Sequence, residues 1–135
     1  MTKTFGLLAA AMLATVALAG NASAQTALKD VAKVRDGIIH VGMAYEISEQ
    51  CDSIRARTLR GIGFLQSLKR HAEDLGYSDD QIAAYIDNRD EKKRLEGIAR
   101  SQLAALGVVP GDMASYCAVG RDQIARNTRV GWLLR

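Results

Sequence analysis

Cys51 and Cys117 are the only cysteines of this chain, so any thiol chemistry must use one or both of them. They form no CxxC redox motif, no CxxCH haem-attachment motif and no paired-cysteine spacing typical of a zinc site. Two cysteines allow one intramolecular pairing, and an oxidising compartment favours the disulfide. The bridge would close a loop spanning 66 positions (117 − 51). The loop-entropy model predicts that such a bridge raises the free energy of unfolding by roughly 4 kcal/mol. We predict a structural Cys51–Cys117 disulfide.

The two histidines, His40 and His71, are the next residues that could do chemistry. His40 and Met43 would lie side by side on a helix and could form part of a soft metal site, but four ligands are usual and no second histidine is near. His71 precedes Glu73 and Asp74, a combination that suits general acid–base catalysis but is also ordinary on an exposed helical face. We predict no catalytic residue, no metal and no cofactor.

Arg57 falls at the edge of an apolar helical face, and a partly buried guanidinium group needs carboxylate or carbonyl partners. Glu46 or Glu49 could supply a carboxylate if the preceding helix forms a hairpin with the helix of Arg57. We predict a buried ion pair of Arg57 with Glu46 or Glu49. A small-ligand binder or an enzyme that uses Arg57 or His71 is an alternative function.

The last part of the chain concentrates positive charge beside apolar side chains. The residues concerned are Arg121, Arg126, Arg129, Trp132, Leu133, Leu134 and Arg135. Arginine next to an aromatic residue is typical of protein interfaces, and a basic amphipathic end also suits contact with an anionic membrane surface. The other interpretation is that the apolar end folds back onto the core. We treat these residues as a predicted partner surface.

Residues 1–24 have the features of a secretory signal peptide. Lys3 forms a short positive region, residues 5–19 form an apolar run, and Ala22-Ser23-Ala24 is a small-x-small cleavage site. The apolar run is short for the roughly 20 residues that span a membrane. Asn21 stands where a lipidated cysteine would be needed. We therefore expect a cleaved leader, a mature start at Gln25, no lipid anchor and a periplasmic location.

The rest of the chain has the composition of one ordinary domain. The 135 residues contain 18 basic and 15 acidic side chains, and removing the leader with its single Lys3 leaves 17 against 15, a net charge of +2. This balance excludes a polybasic nucleic-acid binder, a disordered tail and a disulfide-dense scaffold. We predict that residues 25–135 form a single domain.

Hydrophobic periodicity predicts an all-α fold, since no segment alternates with period two. We expect a compact bundle of about five helices at residues 27–49, 53–75, 79–88, 90–106 and 113–126. Ser78 and Gln81 form a capping box, while Asp52 or Ser53, Asp90 and Asp112 are the other expected N-caps. Gly61 and Gly63 suggest a close helix approach or a kink.

Four motifs carry a resemblance to a known family. They are Cys51-Asp52-Ser53-Ile54-Arg55-Ala56-Arg57, Leu75-Gly76-Tyr77-Ser78, Tyr116-Cys117-Ala118-Val119-Gly120-Arg121 and Gly131-Trp132-Leu133-Leu134-Arg135. With these motifs, the chain resembles a family of small exported alphaproteobacterial proteins classed as a domain of unknown function. The resemblance implies no catalytic residue. It implies a periplasmic accessory protein associated with an inner-membrane respiratory complex, because family members can be encoded near NADH dehydrogenase subunits.

The function expected from the sequence is therefore that of a non-enzymatic periplasmic interaction protein. Its partner is an unidentified protein, with an inner-membrane complex as the first candidate and membrane-surface contact as a further expectation; nucleic acid is excluded. A small helical periplasmic chaperone, which would act by exposing apolar surface, is the second hypothesis.

Overall fold

The computed structural model describes residues 24–135, so the predicted leader and its cleavage lie outside the described residues, apart from Ala24. A short 3₁₀ helix at Leu28–Asp30 is followed by α1 (Ala32–Gln50), α2 (Thr58–Asp74), α3 (Asp79–Ile86), α4 (Arg89–Ala105), α5 (Met113–Ala125) and α6 (Arg129–Trp132). The described residues contain no strand, only one isolated antiparallel bridge between Ala56 and Leu134. The all-α prediction is confirmed, with α6 added to the five expected helices. Between residues 24 and 135, no helix combines the length and apolarity that crossing a membrane requires.

α1 is the central helix, and α2, α4, α5 and α6 all pack against it. Its apolar side chains are distributed around the helix, which is the pattern expected of a helix packed on more than one face. Ile39, Met43 and Ile47 enter the main core, which extends to the C-terminal leucines. Val34 enters a smaller core with Leu28 and residues of α2 and α3 at the other end of the molecule.

The Cys51–Cys117 disulfide is present and confirms the predicted pairing. Cys51 directly follows α1 and is fully buried, while Cys117 lies on α5. The bridge therefore ties the end of the central helix to α5, and it lies within the main core.

Close helix packing uses glycines other than the two that the sequence suggested. A Cβ at Gly37 would lie 2.6 Å from Leu68 Cδ1, so this glycine lets α2 approach α1. A Cβ at Gly120 would lie 2.5 Å from Ile54 Cδ1. Gly61 and Gly63 have no atom within 4 Å of such a Cβ, and the prediction of close approach there is wrong.

Three helices end in the same Schellman motif. After α2, Gly76 has a φ of 91° and the N–H of Tyr77 donates to the carbonyl of Ala72 at 3.1 Å. After α4, Gly107 has a φ of 112° and the N–H of Val108 donates to Leu103 at 3.0 Å. The left-handed conformation favours glycine, and the residue after each glycine is buried. After α5, Asn127 takes the same position with a φ of 48°.

Two of the expected helix starts are confirmed and two are wrong. Ser78 and Gln81 form the capping box of α3, and Asp112 caps α5. Asn88 rather than Asp90 caps α4, because its Oδ1 accepts the N–H of Glu91 at 2.9 Å. Asp90 instead lies in the first turn, where its charge complements the helix dipole.

α2 begins at Thr58, later than predicted, and neither Asp52 nor Ser53 caps it. The preceding segment pairs with the C-terminus instead of joining the helix. The N–H of Arg55 donates to the carbonyl of Arg135 at 2.8 Å, and the N–H of Arg135 donates back to Arg55 at 2.9 Å. The N–H of Arg57 donates to Leu133 at 2.8 Å. These bonds satisfy backbone groups that a longer α2 would have used internally.

Candidate functional site: an arginine surface and an apolar groove

The C-terminal residues are divided between the core and the surface. Thr128 caps α6 by accepting the N–H of Gly131 at 3.0 Å, which turns the tail back toward the molecule. Leu133 and Leu134 are only 3% and 1% exposed and belong to the main core. The prediction that these two leucines form part of a partner surface is therefore wrong, since burial of their side chains leaves nothing to contact. For these two residues the fold-back interpretation is correct.

Arg57 does not form the predicted ion pair with Glu46 or Glu49. Its Nε donates to the carbonyl oxygen of Leu134 at 2.8 Å, so a C-terminal carbonyl takes the place of the expected carboxylate. Glu46 lies 3.7 Å from Arg100 of α4, and the exposed Glu49 has no ion pair within residues 24–135. The reason is that Arg57 precedes α2 and runs beside the C-terminal segment.

Two further arginines pack against the ring of Trp132. The Cζ atoms of Arg60 and Arg129 lie 4.7 Å and 4.9 Å from the centroid of its ring. Arg60 also donates from Nη1 to the carbonyl of Trp132 at 2.9 Å, and Arg129 lies 5.0 Å from the centroid of Phe64. Phe64 meets Trp132 edge to face, with centroids 6.1 Å apart. These cation–π contacts hold both guanidinium groups in place, and neither group forms an ion pair within residues 24–135.

We call this region the arginine surface. It consists of Arg55, Arg57, Arg60, Arg129, Trp132 and Arg135. Arg55 and Arg60 are not in the predicted partner surface, because their neighbours lie more than 70 positions away in the chain. Residues 53–64 and 129–135 contain no aspartate or glutamate.

Arg121 and Arg126, the other predicted partner residues, lie exposed on α5. Arg126 is 3.3 Å from Asp122 in an i,i+4 ion pair. No contact joins either residue to Trp132 among the interactions of residues 24–135. They are surface arginines, but they are not members of the arginine surface.

One aliphatic side chain projects from α2 beside the arginine surface. Leu59 directly precedes Arg60 and is 86% exposed. Leu59 lies nine positions before the buried Leu68, and at about 100° per residue the two point in opposite directions from the helix. Leu59 is thus directed away from the core.

A separate apolar groove with a volume of about 640 Å³ runs along α1. α2 and α4 form its walls with Leu65, Leu68 and Leu95, and α3 contributes Ile82 and Ile86. α3 also packs on the 3₁₀ helix that precedes α1, so it closes the groove at the N-terminal end of α1.

The rim of the groove carries both signs of charge. Lys69 lies 3.4 Å from Glu73 and 3.6 Å from Asp79, and the Glu46–Arg100 pair lies on the opposite wall. The charged residues that line the groove are Lys69, Lys92 and Arg100 against Glu46, Glu91 and Glu96. The rim is therefore neutral overall and selects no charged ligand by long-range attraction.

Tyr85 lies at the closed end of the groove with a buried hydroxyl that has no hydrogen-bond partner within the described residues. Burial raises the pKa of this hydroxyl, and the charge of Glu91 raises it further. Glu91 itself has a lowered pKa, chiefly because Arg94 donates hydrogen bonds of 2.6 and 2.9 Å to its carboxylate. The carboxylate is thus held ionised beside a neutral phenol, and neither group adjoins a nucleophile motif.

Residues 26–135 match the model of a family of unknown function, DUF5333. The chain belongs to this family. No curated protein and no solved structure matches it. Membership of DUF5333 confirms the resemblance to a family of unknown function, and it assigns no activity.

The two histidines of this DUF5333 chain lie apart from the arginine surface. His40 is half-buried on α1, and burial lowers its pKa, with Arg129 adding to the effect and Asp36 opposing it. His71 is partly buried on α2. In the part of the chain that the structure describes, no three His, Cys, Asp or Glu side chains are grouped as a metal site. Neither His71 nor Arg57 lines the groove, so the structure does not bring these residues to a common ligand site.

Proposed function

We propose that this protein is a non-enzymatic interaction protein of the bacterial periplasm that docks on an inner-membrane partner through its arginine surface. The observation that carries the proposal is that two chain segments without an acidic side chain bring five arginines together, two of them stacked on Trp132. In a mature chain with a net charge of only +2, this concentration of one sign makes a distinct patch.

The geometry suits recognition of an acidic surface. Arginine presents several donors that match the oxygens of carboxylates and phosphates, and Trp and Arg are the residues most enriched at binding hot spots. Arg60 and Arg129 are already stacked on Trp132, so little side-chain freedom is lost when they bind. A respiratory complex is the partner that the family resemblance suggests.

The test is affinity purification of the exported protein from detergent-solubilised membranes, followed by mass spectrometry of what it retains. The variant Arg60→Gln/Arg129→Gln removes two charges from the arginine surface. The control Arg89→Gln/Lys93→Gln removes two exposed charges from α4. We expect the first variant to lose a partner that the control retains. Equal recovery by both variants would show that the arginine surface is not the docking site.

A second candidate function is transient binding of apolar segments in the groove, as in a small periplasmic chaperone. The observation that favours it is the apolar groove, which is lined by the exposed Leu65 of α2. An aggregation assay with a denatured client at neutral and at acidic pH tests it, with Leu65→Ser as the groove variant. Absence of protection at both pH values would remove this function.

A further inference from the structure

We infer that the arginine surface binds the anionic headgroup layer of a phospholipid membrane, with Leu59 entering the layer. This inference rests on the proposed function, because it names the chemistry that the same surface recognises. The arginine surface then first binds the lipid surface itself. The protein would contact a membrane complex only after it has adsorbed to the membrane.

The first argument is charge. Residues 53–72 contain no acidic side chain but include Arg55, Arg57 and Arg60, and α6 brings Arg129 and Arg135 to the same end of the molecule. Arg60 uses one nitrogen on the carbonyl of Trp132, and Arg57 uses its Nε on the carbonyl of Leu134. The remaining donors of both guanidinium groups have no partner within residues 24–135, and phosphate oxygens would satisfy them.

The second argument is the projection of Leu59. This side chain is 86% exposed and directed away from the core, so its transfer from water into an apolar phase would be favourable. A protein partner would need a pocket shaped for this side chain. The interfacial region of a bilayer accepts aliphatic side chains of any shape, and a basic surface with projecting aliphatic residues is the pattern of interfacial binding. Charge and projection together therefore favour a lipid surface over an acidic protein.

The third argument is rigidity. The paired backbone of Arg55 and Arg135 and the stacking of two arginines on Trp132 hold the charges in one arrangement before binding. Each arginine near an anionic membrane surface is worth about a fivefold increase in partition. Removal of two arginines should then reduce partition about 25-fold.

The experiment is sedimentation of residues 25–135, with the disulfide intact, together with vesicles of equal parts phosphatidylglycerol and phosphatidylcholine. We expect binding to these vesicles, weak binding to pure phosphatidylcholine, and loss of binding as salt is added. Arg55→Gln/Arg129→Gln should reduce partition about 25-fold, whereas the control Arg89→Gln/Lys93→Gln should lose far less. Circular dichroism of each variant checks that the fold is intact. The Arg55 side chain has no hydrogen bond or ion pair within the described residues, so its replacement should leave the fold unchanged.

Leu59→Ser tests the apolar part of the inference. It should weaken vesicle binding, while Val109→Ser, which alters an exposed aliphatic residue after α4, should leave binding unchanged. Equal binding of the two arginine and lysine double variants, or equal binding to both kinds of vesicle, would overturn the inference.

The failure of the lipid inference can be distinguished from the failure of the proposed function. In one outcome, the protein fails to bind anionic vesicles and still retains a detergent-solubilised partner through Arg60 and Arg129. That result would overturn the lipid inference but support the proposed function. Binding of acidic polypeptides but not vesicles would have the same meaning.

Discussion

At the scale of single residues, the most consequential positions are those where a side chain has no space or no partner. Gly120 lies on the buried face of α5, where a Cβ would be 2.5 Å from Ile54 and 2.8 Å from Ile47. Ile47 is fully buried and branched at Cβ, so it has little rotamer freedom with which to move aside. Gly61 of α2 faces open space and gives a matched contrast.

We predict that Gly120→Ala lowers the free energy of unfolding by about 1–3 kcal/mol, because the added methyl overpacks the core. Gly61→Ala should raise the free energy of unfolding by about 0.5–1 kcal/mol through helix propensity alone. Urea unfolding followed by circular dichroism measures both. If both substitutions stabilised the protein, the close packing of α5 on Ile47 and Ile54 would be wrong.

His40 gives the protein a pH dependence that can be predicted in sign. Burial lowers its pKa below the usual 6.5, so the folded protein binds fewer protons at this site than the unfolded chain. The contribution of neutral His40 to the free energy of unfolding is complete above pH 6.5. It is lost as pH falls below that value toward the lowered pKa of the folded state. We expect His40→Gln to reduce the loss of stability in this acidic window, whereas His71→Gln should retain it. Thermal unfolding across a pH series provides the measurement, and identical pH profiles for the two variants would contradict the prediction.

At the scale of elements, α6 and the residues after it decide how the C-terminus is used. Leu133 and Leu134 fill the core, while Arg129 and Trp132 of the same short helix face the arginine surface. Deletion of the whole tail would therefore remove core packing together with the docking residues. Only substitutions of individual side chains separate the two roles.

We predict that Leu134→Ala lowers the free energy of unfolding by about 2–5 kcal/mol, because it removes a fully buried side chain and leaves a cavity. Leu59→Ala, at the most exposed leucine of α2, should change it by less than about 0.5 kcal/mol. Guanidinium unfolding of both variants is the measurement. A small effect of Leu134→Ala would mean that the tail is not packed in the core.

At the scale of the whole molecule, the disulfide and the distribution of charge are the two global features. The Cys51–Cys117 bridge encloses all of α2, α3 and α4 and the first turn of α5 in one loop, and it ties the end of the central helix to α5. The net charge of residues 25–135 is only +2, but the arginine surface carries positive charge at one end, and the acidic residues lie elsewhere in the chain.

We predict that Cys51→Ala/Cys117→Ala lowers the free energy of unfolding by about 2–5 kcal/mol, chiefly because the unfolded chain is no longer constrained. A reducing agent should produce a similar loss in the wild-type protein and no further loss in the double variant. Thermal unfolding with and without reductant measures this. Equal stability of reduced and oxidised wild-type protein would show that the bridge adds nothing to the fold.

The sequence by itself determined the all-α class, most helix ends and the disulfide pairing. The helix ends depend on local signals, which are the capping box at Ser78 and the glycines after α2 and α4, and each acts within a few residues. The disulfide pairing spans 66 positions, but two cysteines permit only one intramolecular pairing.

Only the tertiary structure decided what Arg57 contacts, where Leu133 and Leu134 lie, and which arginines form one surface. Arg57 finds a carbonyl 77 positions away, and Arg60 meets Trp132 across 72 positions. Side-chain periodicity indicates which residues share one helical face, but it does not indicate which distant segment of the chain packs against that face. The groove arises for the same reason, because α2 and α4 both pack on α1 and leave the space between them unfilled.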